Sequence, residues 1–362
     1  MKDRLKVLHA IFNKEILIVF FIAVIGANIF SFLHVPIPWM LGPIFSLLLF
    51  QFIYKGSLRW SPRLRDIGLV VLGLTIGQQF DLALFNNLGI LLIYMFLLNI
   101  VLIAGSIGLA YLLSKWSKLS FKSMILSTIP GGIAQIVVFA EEEKDVDLAA
   151  ITYFHVVRLL LVVVIVPFIV ASQVATKPEV SSSLTIGLIL LILVSWLVSL
   201  LAKRIHMPIA YFLTPVLIAI GLNLGSVTIP VVPPSIMNIA LLCIGAHIGL
   251  ALKPHMIKLP KRYLLAGVFS SIGLIALTFG TSFVLSIMLG FSFATSFLST
   301  APGGLDQMVL LADAIGADVS MVTVFQIFRL LFIFLIVMPA LKFFYKNTAQ
   351  KKIIAPTVKN QA

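Results

Sequence analysis

The chain has 362 residues, of which 60% are hydrophobic and only 11% charged, against roughly a quarter charged in an ordinary soluble domain. A water-soluble core cannot absorb that much apolar surface, so a soluble enzyme or DNA-binding domain is excluded. The formal charge of +13 does not restore a nucleic-acid reading, because the basic residues flank apolar runs in short clusters instead of lining one soluble face.

Met1 to Lys14 is basic and leads into the uncharged segment Ile16 to His34, longer than a secretory h-region and without an A-x-A cleavage site, so it reads as an uncleaved first span. Pro36-Ile37-Pro38-Trp39-Met40-Leu41-Gly42-Pro43 opens a second segment and is expected to bend it near the interface, with Trp39 as an anchor there. Uncharged runs follow, such as Leu82 to Ser114, Val180 to Ala202 and Tyr263 to Leu305, each exceeding the roughly 20 apolar residues that span a bilayer. They do not alternate polar with apolar residues, so membrane helices are predicted and a barrel is not. Cys243, the single cysteine, lies in an apolar segment, which excludes a disulfide framework or a cysteine-based metal centre. The remaining histidines lack ligand spacing, so no metal and no cofactor are expected.

Residues 172 apart repeat. Ser127-Thr128-Ile129-Pro130-Gly131-Gly132 recurs as Ser299-Thr300-Ala301-Pro302-Gly303-Gly304, with Gln135 falling on Gln307. Gly73 and Gly77 fall on Gly245 and Gly249 in the same register, and Pro36 on Pro208. One residue is then dropped, so that Asp147 and Arg158 match Asp318 and Arg329. The expected organisation is a basic N-terminus over 1–14, one membrane repeat over 15–175, a second over 183–345 and a basic tail over 346–362. Basic loops identify the cytoplasmic side, and they alternate oppositely in the halves. Lys55 to Arg65 and Lys115 to Lys122 are basic in the first half, Lys203-Arg204 and Lys253 to Arg262 in the second. The fold class predicted is therefore an all-α polytopic membrane protein of two inverted-topology repeats of about 172 residues. Inversion requires an odd number of crossings per half, which gives roughly ten transmembrane helices plus two Pro-Gly-Gly re-entrant or broken helices. Both termini are placed on the cytoplasmic side.

Backbone freed at the Pro-Gly-Gly breaks must be satisfied by a cavity, by water or by a ligand. Ser127, Thr128, Pro130, Gly131, Gly132 and Gln135, with their counterparts Ser299, Thr300, Pro302, Gly303, Gly304 and Gln307, are candidate solute-binding residues. A close crossing of two hairpins through small residues is the structural alternative. Arg158 and Arg329 each lie ten residues into their helix, about 15 Å along it and near the middle of the bilayer. With His155 and Gln326 on the preceding turn they join the candidate lining; alternatively, each arginine ties down carbonyls or a carboxylate of its neighbouring hairpin. Asp306, whose counterpart is Ala134, is a candidate site for a coupling H+ or Na+, or else a counter-ion of Arg329. Glu141, Glu142, Glu143 and Asp145 read as a solvated cap.

The motifs Pro130-Gly131-Gly132, Pro302-Gly303-Gly304 and Pro38-Trp39-Met40-Leu41-Gly42-Pro43 give the chain, over nearly its whole length, a resemblance to the AbrB-type membrane family of duplicated proteins, distinct from the small soluble DNA-binding regulator of that name. Members carry the labels transporter, regulator of gene expression and ammonia monooxygenase-like protein, and the resemblance implies no established set of catalytic residues. The function expected is that of an ion-coupled secondary transporter, not an enzyme, for a small anionic solute. It would lie in the bacterial inner membrane with the bilayer and the solute as partners, without nucleic acid, and compatibly with a homo-oligomer. The second expectation is a membrane-embedded regulator or sensor that affects gene expression indirectly.

Overall fold

The computed structural model describes residues 14–54, 56–80, 88–141, 143, 145–170, 184–205, 207, 209–227 and 229–345. The expectations for the N-terminal residues 1–13, the loop 81–87, Glu142, the junction 171–183, Pro208 and the tail 346–362 lie outside the described residues. Among those described, every regular element is helical. The first half comprises α1 (Lys14–Phe32), α2 (Pro38–Ile53), α3 (Pro62–Gln78), α4 (Leu88–Ser117), α5 (Phe121–Thr128), α6 (Ile133–Glu141) and α7 (Leu148–Val170). The second comprises α8 (Ile186–Arg204), α9 (Ala210–Leu224), α10 (Pro234–Gly249), α11 (Lys261–Leu289), α12 (Phe293–Thr300), α13 (Leu305–Ile315) and α14 (Val319–Phe332), which continues through a π-helical turn at Ile333–Val337. Each helix therefore has its counterpart seven elements later.

Seven of the described stretches are long and apolar enough to cross a membrane, where roughly ten crossings were expected. The helices α2, α3 and α9 are shorter, with 16, 17 and 15 residues, and span only about 24 Å. Proline sets the start of α2 and α3: Pro38 and Pro62 stand in their first turns, where a missing N–H costs nothing. Ile37 and Ile209, at equivalent places before α2 and α9, both adopt left-handed backbone with φ of 49° and 46°. For a β-branched residue this is a strained conformation, and the repeat carries it twice.

The halves interlock through reciprocal contacts of glycine with backbone. An added Cβ at Gly73 on α3 would lie 2.5 Å from Phe212 O on α9, and one at the equivalent Gly245 on α10 would lie 2.5 Å from Met40 O on α2. Gly77 and Gly249 repeat the pattern against Val216 O and Ile44 O, at 2.6 and 2.8 Å. Elsewhere a residue meets its own counterpart. Gly68 lies against Ala240 between α3 and α10, and Gly105 against Leu277 between α4 and α11. Four residues further along α4, Leu109 meets Gly273, four residues earlier on α11, so these two helices run in opposite directions where they cross.

Two packing units result. In one, α1 lies on α2, α3 on α9 and α10, α2 on α10, and α8 on α9; in the other, α4 and α11 cross and carry α5, α7, α12 and α14. The main helix contact between the units is α3 with α13. Trp39 is half-buried and packs beside α1 and α10. Gly42 is there because α1 passes within van der Waals range, where an added Cβ would lie 2.4 Å from Gly26 O.

Substituting Gly73→Ala or Gly245→Ala forces a methyl into a carbonyl and is expected to cost about 1–3 kcal/mol each. Gly108→Ala on α4, with nothing within 4 Å of the new methyl, should be neutral or raise the melting point through its roughly 1 kcal/mol gain in helix propensity. Thermal unfolding of the purified protein in detergent compares the three.

Candidate functional site

Why the Pro-Gly-Gly segments break is local chemistry. Helix α5 starts at Ser120, whose side chain accepts from Ser123 N, and α12 starts at Ser292, whose side chain accepts from Thr295 N. Both run eight residues. They stop because proline disfavours helical backbone in the residue before it, and Ile129 and Ala301 both turn to extended ψ, 125° and 135°. Helix resumes at Ile133 and Leu305, so the carbonyls of the last turn and of the link lack intrahelical donors.

Arginines from α7 and α14 supply the donors. Arg158 Nη1 donates to Ile129 O at 3.0 Å and Nη2 to Gly131 O at 3.2 Å. Arg329 Nη1 donates to Thr300 O at 3.3 Å and also to Ala301 O, and Nη2 donates to Gly303 O at 2.9 Å and to Gln326 Oε1. One turn earlier, Gln326 Nε2 donates to Leu298 O at 2.7 Å, and its counterpart His155 holds Leu126 O at 2.9 Å through Nε2. A carbonyl only accepts, so Nε2 of His155 carries the proton, and its Nδ1 has no protein partner. Of the two structural roles open to the arginines, tying down carbonyls is the one observed. Among the described residues neither arginine forms an ion pair.

Each break also packs on the opposite half. A Cβ at Gly131 would lie 3.3 Å from Ile333 Cγ2, and one at Gly303 would lie 2.9 Å from the equivalent Val162 Cγ1. The two broken segments and the two arginine helices thus form one buried assembly.

The other candidates divide between structural use and free groups. Ser127 donates to Ser123 O, and Thr128 to Met124 O and Ile125 O. Thr300 donates to Ser296 O, Phe297 O and Thr278 O. Gln307 Oε1 accepts from Gly304 N at 3.2 Å and closes the start of α13. Pro130 and Pro302 are buried, Gly132 is exposed, and the side chain of Gln135 lies outside the described residues. Ser299 Oγ is buried without a protein partner. Asp306, in the first turn of α13, forms no ion pair among the described residues; α13 packs on α3, the helix that carries Arg65. In the expected acidic cap, Glu143 forms an ion pair with Lys122 and Glu141 is exposed.

Two features escaped sequence reasoning. Arg65 reads as a topology marker in its basic loop. Asn99, buried in the middle of α4, is one amide within a long uncharged run, and only its neighbours give it meaning. It lines a cavity of about 20 Å³ beside Ser299 and Arg329. Among the described residues no three His, Cys, Asp or Glu side chains group as a metal site would need.

The profile of the family described as "Transition state regulatory protein AbrB" matches residues 39–345. A Bacillus subtilis strain 168 protein described as "Uncharacterized protein YhjN" is 26% identical, over 91% of this chain and 93% of its own length. An Escherichia coli K12 protein described as "Putative regulator AbrB" is 24% identical, over 89% of this chain and 94% of its own.

Lysine has a point charge where arginine has a fork, so Arg158→Lys and Arg329→Lys should each leave at least one buried carbonyl bare. The expected cost is roughly 1–3 kcal/mol per carbonyl, seen as a lowered melting point. Gln326→His, which copies the first repeat, should lose less.

Proposed function

This chain belongs to the AbrB family, and on that premise we propose that it is a secondary transporter for a small anionic solute, with its site where the two Pro-Gly-Gly breaks meet. One observation carries the reading. Two guanidinium groups lie deep in the protein, held by carbonyls and unmatched by any carboxylate among the described residues, so the assembly keeps positive charge at a depth where charge is expensive. Carbonyl dipoles offset part of that cost, and a bound anion offsets the rest.

The repeats are read as inverted relative to the membrane, which the opposed directions of α4 and α11 at their crossing support. The Pro-Gly-Gly segments are read as helices that enter and turn back. Short helices that end in low-dielectric surroundings present amide and carbonyl groups to a solute, as broken helices do in transporters. Alternating access comes from one packing unit moving against the other. Asp306 stands at the start of α13 and Arg65 on α3, the two helices that meet at that boundary, which makes Asp306 the group that a coupling H+ or Na+ would neutralise before the units separate. The bacterial inner membrane, with both termini cytoplasmic, is the setting this reading requires, and no enzymatic reaction is assigned.

The name of the Escherichia coli relative favours a second reading, a membrane-embedded regulator acting through a partner protein. A stable soluble partner recovered with the protein, together with no solute flux in liposomes, would move the assignment there.

Proteoliposomes test the first reading directly. Asp306→Asn should abolish the dependence of solute uptake on an imposed proton or sodium gradient, and unchanged dependence removes Asp306 from coupling. Orientation is tested in a Cys243→Ser background: a cysteine at Pro233 should react with an impermeant maleimide added to whole cells, and one at Lys258 should not. The opposite pattern sinks the inverted arrangement.

A further inference from the structure

A small cavity lies between the two repeats, beside the second Pro-Gly-Gly break. Its volume is about 20 Å³, and its walls come from α4, α11, the end of α12 and α14, near the middle of the two long spans. Space of that size admits one water-sized group. Asn99 and Ser299 are 6% and 3% exposed, and Asn99 Oδ1 and Ser299 Oγ have no protein partner.

The donor and acceptor inventory limits what fits. Asn99 Nδ2 donates to Met95 O at 2.7 Å, which fixes the amide with its oxygen as the unmatched atom. Thr278 donates to Leu274 O and Ile275 O, and Thr281 to Thr278 O, so toward the cavity these hydroxyls offer only lone pairs. Opposite them stands the Arg329 guanidinium. A bare anion would meet the amide oxygen, and a bare cation would meet the arginine. A group that donates a hydrogen bond and belongs to a negatively charged molecule satisfies both walls.

We propose that this cavity recognises the hydroxyl of a small hydroxy-carboxylate, through Asn99 Oδ1 and Ser299 Oγ, while Arg329 attracts its carboxylate. The inference rests on the reading of the Pro-Gly-Gly assembly as an anion site and narrows its solute class. The equivalent place beside the first Pro-Gly-Gly break is built differently. Ser271 stands for Asn99 and donates to Gly267 O, and Leu109 stands for Thr281 and packs on Gly273. The two equivalent places therefore differ in the unmatched amide oxygen of Asn99.

The test is a thermal-shift titration of the full purified chain with matched probes: glycolate against acetate, and lactate against propionate. In at least one pair the donor-bearing member should bind the native protein on the order of tenfold more tightly than its counterpart, the worth of one buried hydrogen bond. Asn99→Leu should remove that preference while leaving the affinity for the counterpart within about twofold. Asn99→Ser, which installs the residue of the equivalent second-repeat position, Ser271, guards against a variant that fails to fold and should likewise erase the preference. Equal binding within every pair, or a preference that survives both variants, overturns the inference while leaving the anion reading intact; the cavity then holds an ordered water only. If no carboxylate stabilises the native protein, both fall together.

Discussion

The structure depends on how two broken helices satisfy their backbone. Inside a bilayer an open carbonyl has no water to turn to, and a Pro-Gly-Gly interruption opens several at once. Arg158 and Arg329 resolve this from neighbouring helices with the one side chain that forks to two acceptors and keeps its charge. That solution creates the next constraint, because a guanidinium satisfied in hydrogen bonds is still a buried charge. Positive potential at the centre of the protein is thus a by-product of backbone chemistry. It is also the property an anion site needs.

The second constraint is close backbone approach. Gly73, Gly77, Gly245 and Gly249 let α3 and α10 sink against the carbonyls of helices from the opposite repeat, at distances no side chain allows. Small residues at helix crossings give van der Waals contact where lipid offers no hydrophobic drive for association. Because each contact is made twice, at equivalent residues, the two halves are exchanged partners and not neighbours laid side by side. Moving α3 therefore moves α9 and α10 with it.

Much of this was legible in the sequence, for reasons specific to membranes. Hydropathy located the long spans because a charge in lipid is costly, and the ten-residue offsets of Arg158 and Arg329 placed them deep in equivalent helices. The 172-residue register announced the glycine pairs, although not that each glycine would meet the other half. Legibility failed where meaning comes from a partner distant in the chain. Arg65 looks like any basic loop residue until its helix, α3, packs against the helix of Asp306. Asn99 looks like a tolerated amide until Ser299 and Arg329 arrive from two further helices. The short lengths of α2 and α9 were also hidden, because hydropathy does not register the left-handed turn at Ile37 and Ile209 that delays each helix start.

Duplication explains the division between scaffold and specificity. Features held in both repeats, the glycine contacts, the serine or threonine caps and the arginine clamps, answer demands that every such fold meets, since each half must satisfy the same backbone in the same solvent. A solute imposes no such symmetry. A single small molecule at a site shared by two halves touches each with a different face, so its recognition must lie in residues where the repeats diverge. Asp306 against Ala134, Gln326 against His155 and Asn99 against Ser271 are three such divergences, and Asn99 lines the cavity. On the proposed reading both halves supply charge, and the choice of what is bound comes from the positions where they differ, Asn99 of the first repeat and Asp306 and Gln326 of the second.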